Sequence, residues 1–170
     1  MSSSPLPITP FSELSGSSAV PRPPDWSRPR LGELLVRKGY IDDAQLAWAL
    51  EQAREKKELL GVVLLRERLM FDNDLARTLS EQLAVPYIDI MQLGVDNAAV
   101  TLLPPDVGLA AMAIPIRMQQ DGTVQVGFGD PLDQQSVDSV TQHLPDFSIA
   151  VCEVSAIRQT WQKIAAQIRR

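Results

Sequence analysis

Two stretches of the chain carry the same pattern: RLGELLVRKGYIDDAQLAWALEQA at residues 30–53 and LLGVVLLRERLMFDNDLARTLSEQ at residues 59–82. The second stretch repeats the first after 29 positions, so that Gly32 matches Gly61. In both stretches apolar residues recur every three or four positions, which is the spacing of one helix face. Each stretch therefore predicts a pair of helices, and the duplication predicts a lobe of four helices.

The ends of these helices follow from their capping residues. Gly39 is predicted to end the first helix, because glycine adopts the left-handed conformation at a helix C-terminus without strain. Asp42 or Asp43 is predicted to cap the second helix, and Asp72 or Asn73 the fourth.

The second half of the chain changes to mixed strands and helices. Alternating apolar residues on both sides of Asp121-Gly122 predict a β-hairpin. Asp130 and Pro131 predict the start of a helix that runs to about His143. A strand and a closing amphipathic helix are predicted at residues 147–151 and 154–168. The expected fold class is α+β, with an N-terminal four-helix lobe of two tandem helix-pair repeats packed on a small C-terminal α/β lobe.

The composition divides the chain into three segments. Residues 1–27 are rich in Ser and Pro and poor in periodic apolar residues, so they bury too little surface to offset their ordering entropy, and a disordered tail is predicted. Residues 28–86 are expected to form the duplicated helical lobe, and residues 87–170 the small α+β lobe.

The charge and the residue counts exclude several classes of protein. A net charge of −5 argues against binding to DNA or RNA. No apolar run is long enough for membrane insertion, and the N-terminus lacks the pattern of a secretory signal. The single cysteine, Cys152, suits a reducing compartment, so we expect a cytoplasmic location. His143 is the only histidine and has no second ligand nearby, so neither a metal site nor a cofactor is expected.

The repeated glycines suggest a binding chemistry. A helix that begins beside Gly32 or Gly61 presents free backbone N–H groups, which favour an anion such as phosphate. Arg28 and Arg30 flank the first of these helices and would add charge-assisted hydrogen bonds. Two such sites suit a ligand with two phosphates. The alternative is that the glycines only permit close helix packing and that the arginines are solvated.

These stretches, together with LLPPDVGLAAMAIPIRMQQDGTVQVGFGDPLD at residues 102–133, resemble a known family. They look like the N-terminal domain of type II secretion and type IV pilus assembly ATPases, and more narrowly like the bacterial MshEN domains that bind cyclic di-GMP. The resemblance covers about residues 28–168. It implies a ligand motif of Arg-Leu-Gly, paired aliphatics, a later glycine, two spaced leucines and a glutamine, present twice.

Carried onto this chain, the motif and its surroundings imply fifteen ligand-binding residues. They are Arg28, Arg30, Leu31, Gly32, Leu35, Gly39, Leu46, Leu50, Leu60, Gly61, Leu64, Leu75, Leu79, Gln82 and Asp130. The second copy departs from the family pattern, since Leu59 occupies its arginine position and Arg68 its later glycine position. In the first copy Ala53 occupies the glutamine position.

The resemblance predicts a regulatory module without catalytic activity. The chain contains no G-x-x-x-x-G-K-[ST] sequence, so ATP hydrolysis is not expected. The first interpretation is a cyclic di-GMP receptor with a degenerate second half-site. The alternative is a docking adaptor of a type II secretion or type IV pilus system that no longer binds nucleotide and contacts an assembly ATPase or a membrane-anchored protein.

Overall fold

The computed structural model describes residues 30–169, and the predicted tail at residues 1–27 lies outside them. The N-terminal part forms two consecutive helix pairs, as the duplication predicts. Their bounds are α1 Leu31–Arg37, α2 Asp43–Lys56, α3 Leu60–Arg66 and α4 Asp72–Leu83. The predicted four-helix lobe of two tandem repeats is therefore confirmed.

The turn after the first helix of each pair has the same backbone conformation in both repeats. Gly39 follows α1 with a φ of 76°, in the left-handed region. Arg68, its equivalent after α3, has a φ of 55°. A side chain at a left-handed position costs roughly 1–2 kcal/mol, so the second repeat tolerates strain where the first has glycine.

The cap predicted for the second helix of each pair is confirmed at α2 and wrong at α4. Asp42 caps α2, because its carboxylate accepts a 2.7 Å hydrogen bond from the Gln45 amide. At α4 the cap position is Phe71, and Asp72 already lies inside the helix. The prediction of an Asp72 or Asn73 cap is wrong, since the Asp72 carboxylate bonds to a different helix.

The C-terminal part is an α/β lobe built on a three-stranded sheet. Three short helices come first: α5 Ile90–Leu93, α6 Asn97–Val100 and α7 Pro105–Ala111. The later elements are β1 Ala113–Met118, β2 Val124–Phe128, α8 Gln134–Thr141, β3 Phe147–Val151 and α9 Val154–Ile168. Strand β2 lies between β1, to which it is antiparallel, and β3, to which it is parallel. The predicted hairpin around Asp121-Gly122 is thus present, and α8 provides the crossover that a parallel pair requires.

Helix α8 begins later than the sequence predicts. Asp130 does not cap it, because the Asp130 carboxylate accepts the Leu132 amide at 2.9 Å and closes a tight turn. Asp133 caps the helix instead by accepting the Gln135 amide. Pro131 therefore stands in the turn and not at the first helical position.

The two lobes have separate hydrophobic cores that meet at the end of β3. One core lies among α1–α4, and the other surrounds the sheet and the Trp161 side chain, whose indole N–H donates to the Ala113 carbonyl at 2.8 Å. Val151, the last residue of β3, is fully buried in the helical core. Its backbone N–H donates to the Pro86 carbonyl, and its carbonyl accepts the Ile88 amide.

The lobes are also joined by a carboxylate that caps a helix of the other lobe. Asp72, in the first turn of α4, accepts the amides of Val154 at 3.1 Å and Ser155 at 2.8 Å, at the start of α9. Next to it the Tyr87 hydroxyl donates to Glu153 at 2.6 Å. Two of the free N–H groups at the start of α9 are thus satisfied by the helical lobe.

The Asp72 contact is testable with a matched control in the other repeat. We expect Asp72→Ala to lower the free energy of unfolding by about 1 kcal/mol more than Asp43→Ala, because only Asp72 caps a second helix. Both residues occupy the first position of a helix, so their interaction with their own helix dipole cancels in the comparison. Urea unfolding of the two variants measures the difference, and equal losses would contradict it.

The left-handed position of Arg68 gives a second prediction. Arg68→Gly removes the strain but makes the unfolded chain more flexible, so we expect a net stabilisation of about 0.5–1 kcal/mol. The reciprocal change Gly39→Arg should destabilise by a similar amount. Thermal unfolding of both variants tests the pair, and the same sign of change in both would contradict it.

Candidate functional site

The start of α1 holds the most complete part of the predicted motif. Arg30 is the cap residue of α1 and is exposed, and its backbone N–H donates to the Glu33 carboxylate at 3.2 Å. Leu31 and Gly32 follow it and are buried. The Arg30 guanidinium is therefore available to a ligand at the surface of the lobe. Arg28, the other predicted arginine, lies outside the described residues.

The two repeated glycines lie against leucines of the next helix. A Cβ atom added to Gly32 would lie 2.6 Å from Cδ1 of Leu46, and one added to Gly61 would lie 3.2 Å from Cδ2 of Leu75. The absence of a side chain thus lets the two helices of each pair approach closely. This geometry supports the packing alternative for both glycines.

The predicted leucines divide into core residues and surface residues. Leu35, Leu64 and Leu79 are fully buried. They lie in the hydrophobic core of the helical lobe. Leu50 is 50% exposed, and Leu46 and Leu60 are partly exposed, so these three can be reached from solvent.

The start of α3 differs chemically from the start of α1. Leu59 occupies the position equivalent to Arg30 and is 36% exposed, and Val62, one turn later, is 47% exposed. This end of the second repeat therefore presents aliphatic side chains where the first repeat presents a guanidinium. Gln82, the predicted glutamine, lies partly buried near the end of α4.

Asp130, a residue of the α/β lobe, lies beside Gly61 of the second repeat. Its Oδ2 atom lies 3.9 Å from the position that a Cβ of Gly61 would occupy. Burial raises the pKa of Asp130 to about 6, with a smaller contribution from the Asp133 carboxylate, while the hydrogen bond from the Leu132 amide acts in the opposite direction. The structure thus places a carboxyl group beside Gly61.

The remaining candidates for reactive chemistry have structural roles. Cys152 is buried, and burial raises the pKa of its thiol to about 12, which leaves the sulfur protonated. Within residues 30–169 no three His, Cys, Asp or Glu side chains are grouped as a metal site would require. In the same part of the chain no helix is both long and apolar enough to cross a membrane.

Comparison with known proteins identifies relatives of both lobes. Residues 83–170 match the sequence profile of the MshEN domain. A solved structure of MshE with cdg superimposes with a TM-score of 0.67 at 29% identity and covers 80% of this chain and 99% of that chain. The N-terminal domain of XpsE has the same TM-score at 23% identity, covers 79% of this chain and 92% of that chain, and supports the fold alone.

Curated relatives are longer proteins. The type IV pilus assembly ATPase PilB of Thermus thermophilus is 30% identical over 112 residues, which are 65% of this chain and 13% of that protein. PilB of Myxococcus xanthus is 27% identical over 140 residues, 81% of this chain and 24% of that protein. Bacteriophage adsorption protein B of Escherichia coli is 27% identical over 132 residues, 78% of this chain and 16% of that protein. The chain spans less than a quarter of the length of each of these three.

The environment of Asp130 predicts a pH dependence of stability. Its folded pKa of about 6 exceeds the 3.8 of a free carboxyl, so folding favours the protonated form. The contribution of the protonated Asp130 carboxyl to the stability of the fold is therefore fully present below about pH 4. It is lost as the pH rises through about 6. Asp130→Asn, which stays neutral, should therefore be more stable than the unmodified chain at neutral pH, by an amount on the order of 2 kcal/mol.

Urea unfolding of both proteins at about pH 4 and pH 7 measures this effect. The free energies of unfolding of the two proteins should differ little at about pH 4. The difference should increase as the pH rises to about 7. A difference in the free energy of unfolding that does not change with pH would contradict the role of Asp130 ionisation.

Proposed function

We propose that this chain, which belongs to the MshEN domain family, is a non-catalytic regulatory module that binds cyclic di-GMP in the cytoplasm. The observation that carries the proposal is the likeness over 80% of the chain to MshE, whose structure was solved with cdg, that is, cyclic di-GMP. The Arg30-Leu31-Gly32 sequence of the first repeat supports it, because it keeps the arginine of the family motif in an exposed position.

The first repeat would provide the main interaction. The guanidinium of Arg30 carries five N–H donors in a planar fork that suits phosphate oxygens or the acceptor edge of guanine. The exposed surfaces of Leu46 and Leu50 lie on the helix that follows, and they would pack against the ligand. Binding at this repeat would need no metal or other cofactor.

The second repeat would contribute less. Leu59 cannot replace the charge-assisted hydrogen bonds of an arginine, and the Asp130 carboxyl near Gly61 becomes anionic above about pH 6. We therefore propose a degenerate second half-site and an asymmetric mode of binding.

A docking adaptor is the second candidate function. The loss of arginine at Leu59 favours it, and so does the similarity to PilB, an ATPase of type IV pilus assembly. In this case the module would bind a protein of a pilus or secretion system without nucleotide. The two candidates differ in whether purified chain binds cyclic di-GMP.

Isothermal titration calorimetry with cyclic di-GMP tests the first candidate. We expect saturable binding, and we expect Arg30→Ala to weaken it by about 10- to 100-fold, because a hydrogen bond to a charged group contributes roughly 1.5–3 kcal/mol. Leu59→Arg should strengthen binding by restoring the missing guanidinium.

Arg158→Ala provides the control, since Arg158 is an exposed arginine on α9 in the other lobe. It should leave the affinity unchanged. The absence of heat at tens of micromolar would exclude the receptor function and leave the adaptor. Unchanged affinity in Arg30→Ala would contradict the proposed role of the first repeat in binding.

A further inference from the structure

The second helices of the two repeats carry the same residues on one side. Counted from the start of each helix, an aspartate, an alanine and a leucine occupy the same positions in α2 and α4. The three pairs are Asp43 and Asp72, Ala47 and Ala76, and Leu50 and Leu79. At helical geometry the three residues lie within about 60° of one another around the axis, so each set forms one continuous surface.

On α4 this surface is covered by the end of β3 and the start of α9. Asp72 accepts the first two amides of α9, and Val151 lies in the same hydrophobic core as Ala76 and Leu79. Leu79 is completely buried. The aspartate thus accepts two amides of a helix N-terminus, and the alanine and the leucine lie in the core that Val151 joins.

On α2 the same surface is exposed. Asp42 caps the helix, so the carboxylate of Asp43 is not needed for that role. Asp43 and Ala47 are exposed, and Leu50, whose counterpart is fully buried, is 50% exposed. We call Asp43, Ala47 and Leu50 the α2 surface.

We propose that the α2 surface docks a partner protein in the way that α4 docks the β3–α9 segment. The partner presents an extended segment with an aliphatic side chain that runs directly into a helix. The first amides of that helix bond to the Asp43 carboxylate, and the aliphatic side chain packs on Ala47 and Leu50. The chemistry of this partner is inferred from the β3–α9 segment, which lies at the equivalent side of α4 in the second repeat.

Charge supports a helix N-terminus as the group recognised. The positive end of a helix dipole and its unsatisfied N–H groups are attracted to a carboxylate. A lipid surface or a nucleic acid would instead be repelled by Asp43 and by the net charge of −5. The α2 surface therefore suits a protein and not a polyanion.

The α2 surface shares Leu50 with the proposed nucleotide site, and the test separates the two. Leu50 is also a predicted ligand contact, whereas Asp43 and Ala47 are not. Variants of these two residues, examined without added cyclic di-GMP, thus report on docking alone.

The test is photo-crosslinking of the full chain in its native cell. A benzoylphenylalanine placed at Arg54, an exposed position one turn beyond Leu50, lies at the edge of the α2 surface. We expect an adduct with another protein, mapped by mass spectrometry to the first turn of a helix that follows an extended segment. Its yield should fall at least fivefold on Asp43→Ala and on Ala47→Arg.

Two controls complete the design. The crosslinker at Arg158, exposed on α9, gives the background, and Asp106→Ala removes an exposed carboxylate from a different helix without affecting the yield. The proposal is overturned if no adduct exceeds that background, or if Asp43→Ala and Ala47→Arg both leave the adduct yield unchanged. It is also overturned if the adduct maps to a second copy of this chain or to any part of a partner other than a helix start.

Discussion

The position of the two lobes depends on the contact between Asp72 and the start of α9. A helix N-terminus leaves amides that need an acceptor, and for α9 the acceptor is a carboxylate on α4. Val151 adds an apolar contact at the same place, since the last residue of a strand in one lobe lies in the core of the other. This arrangement also places the loop after β2 against α3, so that Asp130 approaches Gly61.

The same contact distinguishes the second repeat from the first. The second repeat uses its Asp-Ala-Leu surface to hold the α/β lobe, and the start of α3 presents leucine where α1 presents arginine. The first repeat keeps the glycine turn, the exposed Arg30 and an uncovered helix surface. A duplication thus yields one copy that joins the two lobes and one copy whose equivalent helix surface is exposed.

Periodicity and turn chemistry predicted the four-helix lobe, the hairpin and the α+β class, because these depend on local spacing. The Asp72 contact was not predictable, since its amide partners are 82 and 83 positions away and nothing local distinguishes it from an ordinary cap. The start of α8 was misplaced for a similar reason: Asp130 and Asp133 both suit a cap, and the turn closed by Asp130 decides between them.

For the candidate site, the motif identified the repeats and their positions but not which residues face solvent. Leu50 and Leu79 are equivalent in sequence, yet Leu79 is fully buried and Leu50 is 50% exposed, a difference set by tertiary packing that local spacing does not encode. Arg68 is a further example, because its side chain type gives no indication of the left-handed backbone that the repeat imposes.

The distance along the chain between Asp72 and its partners has a consequence for synthesis on the ribosome. Helices α1–α4 emerge early, yet the Asp72 carboxylate has no α9 amide to accept until residues 154 and 155 have emerged. During that interval Asp72, like Asp43 in the finished protein, caps no second helix. Translation therefore passes through a stage at which the two aspartates are equivalent in this respect, and the arrival of α9 makes them distinct.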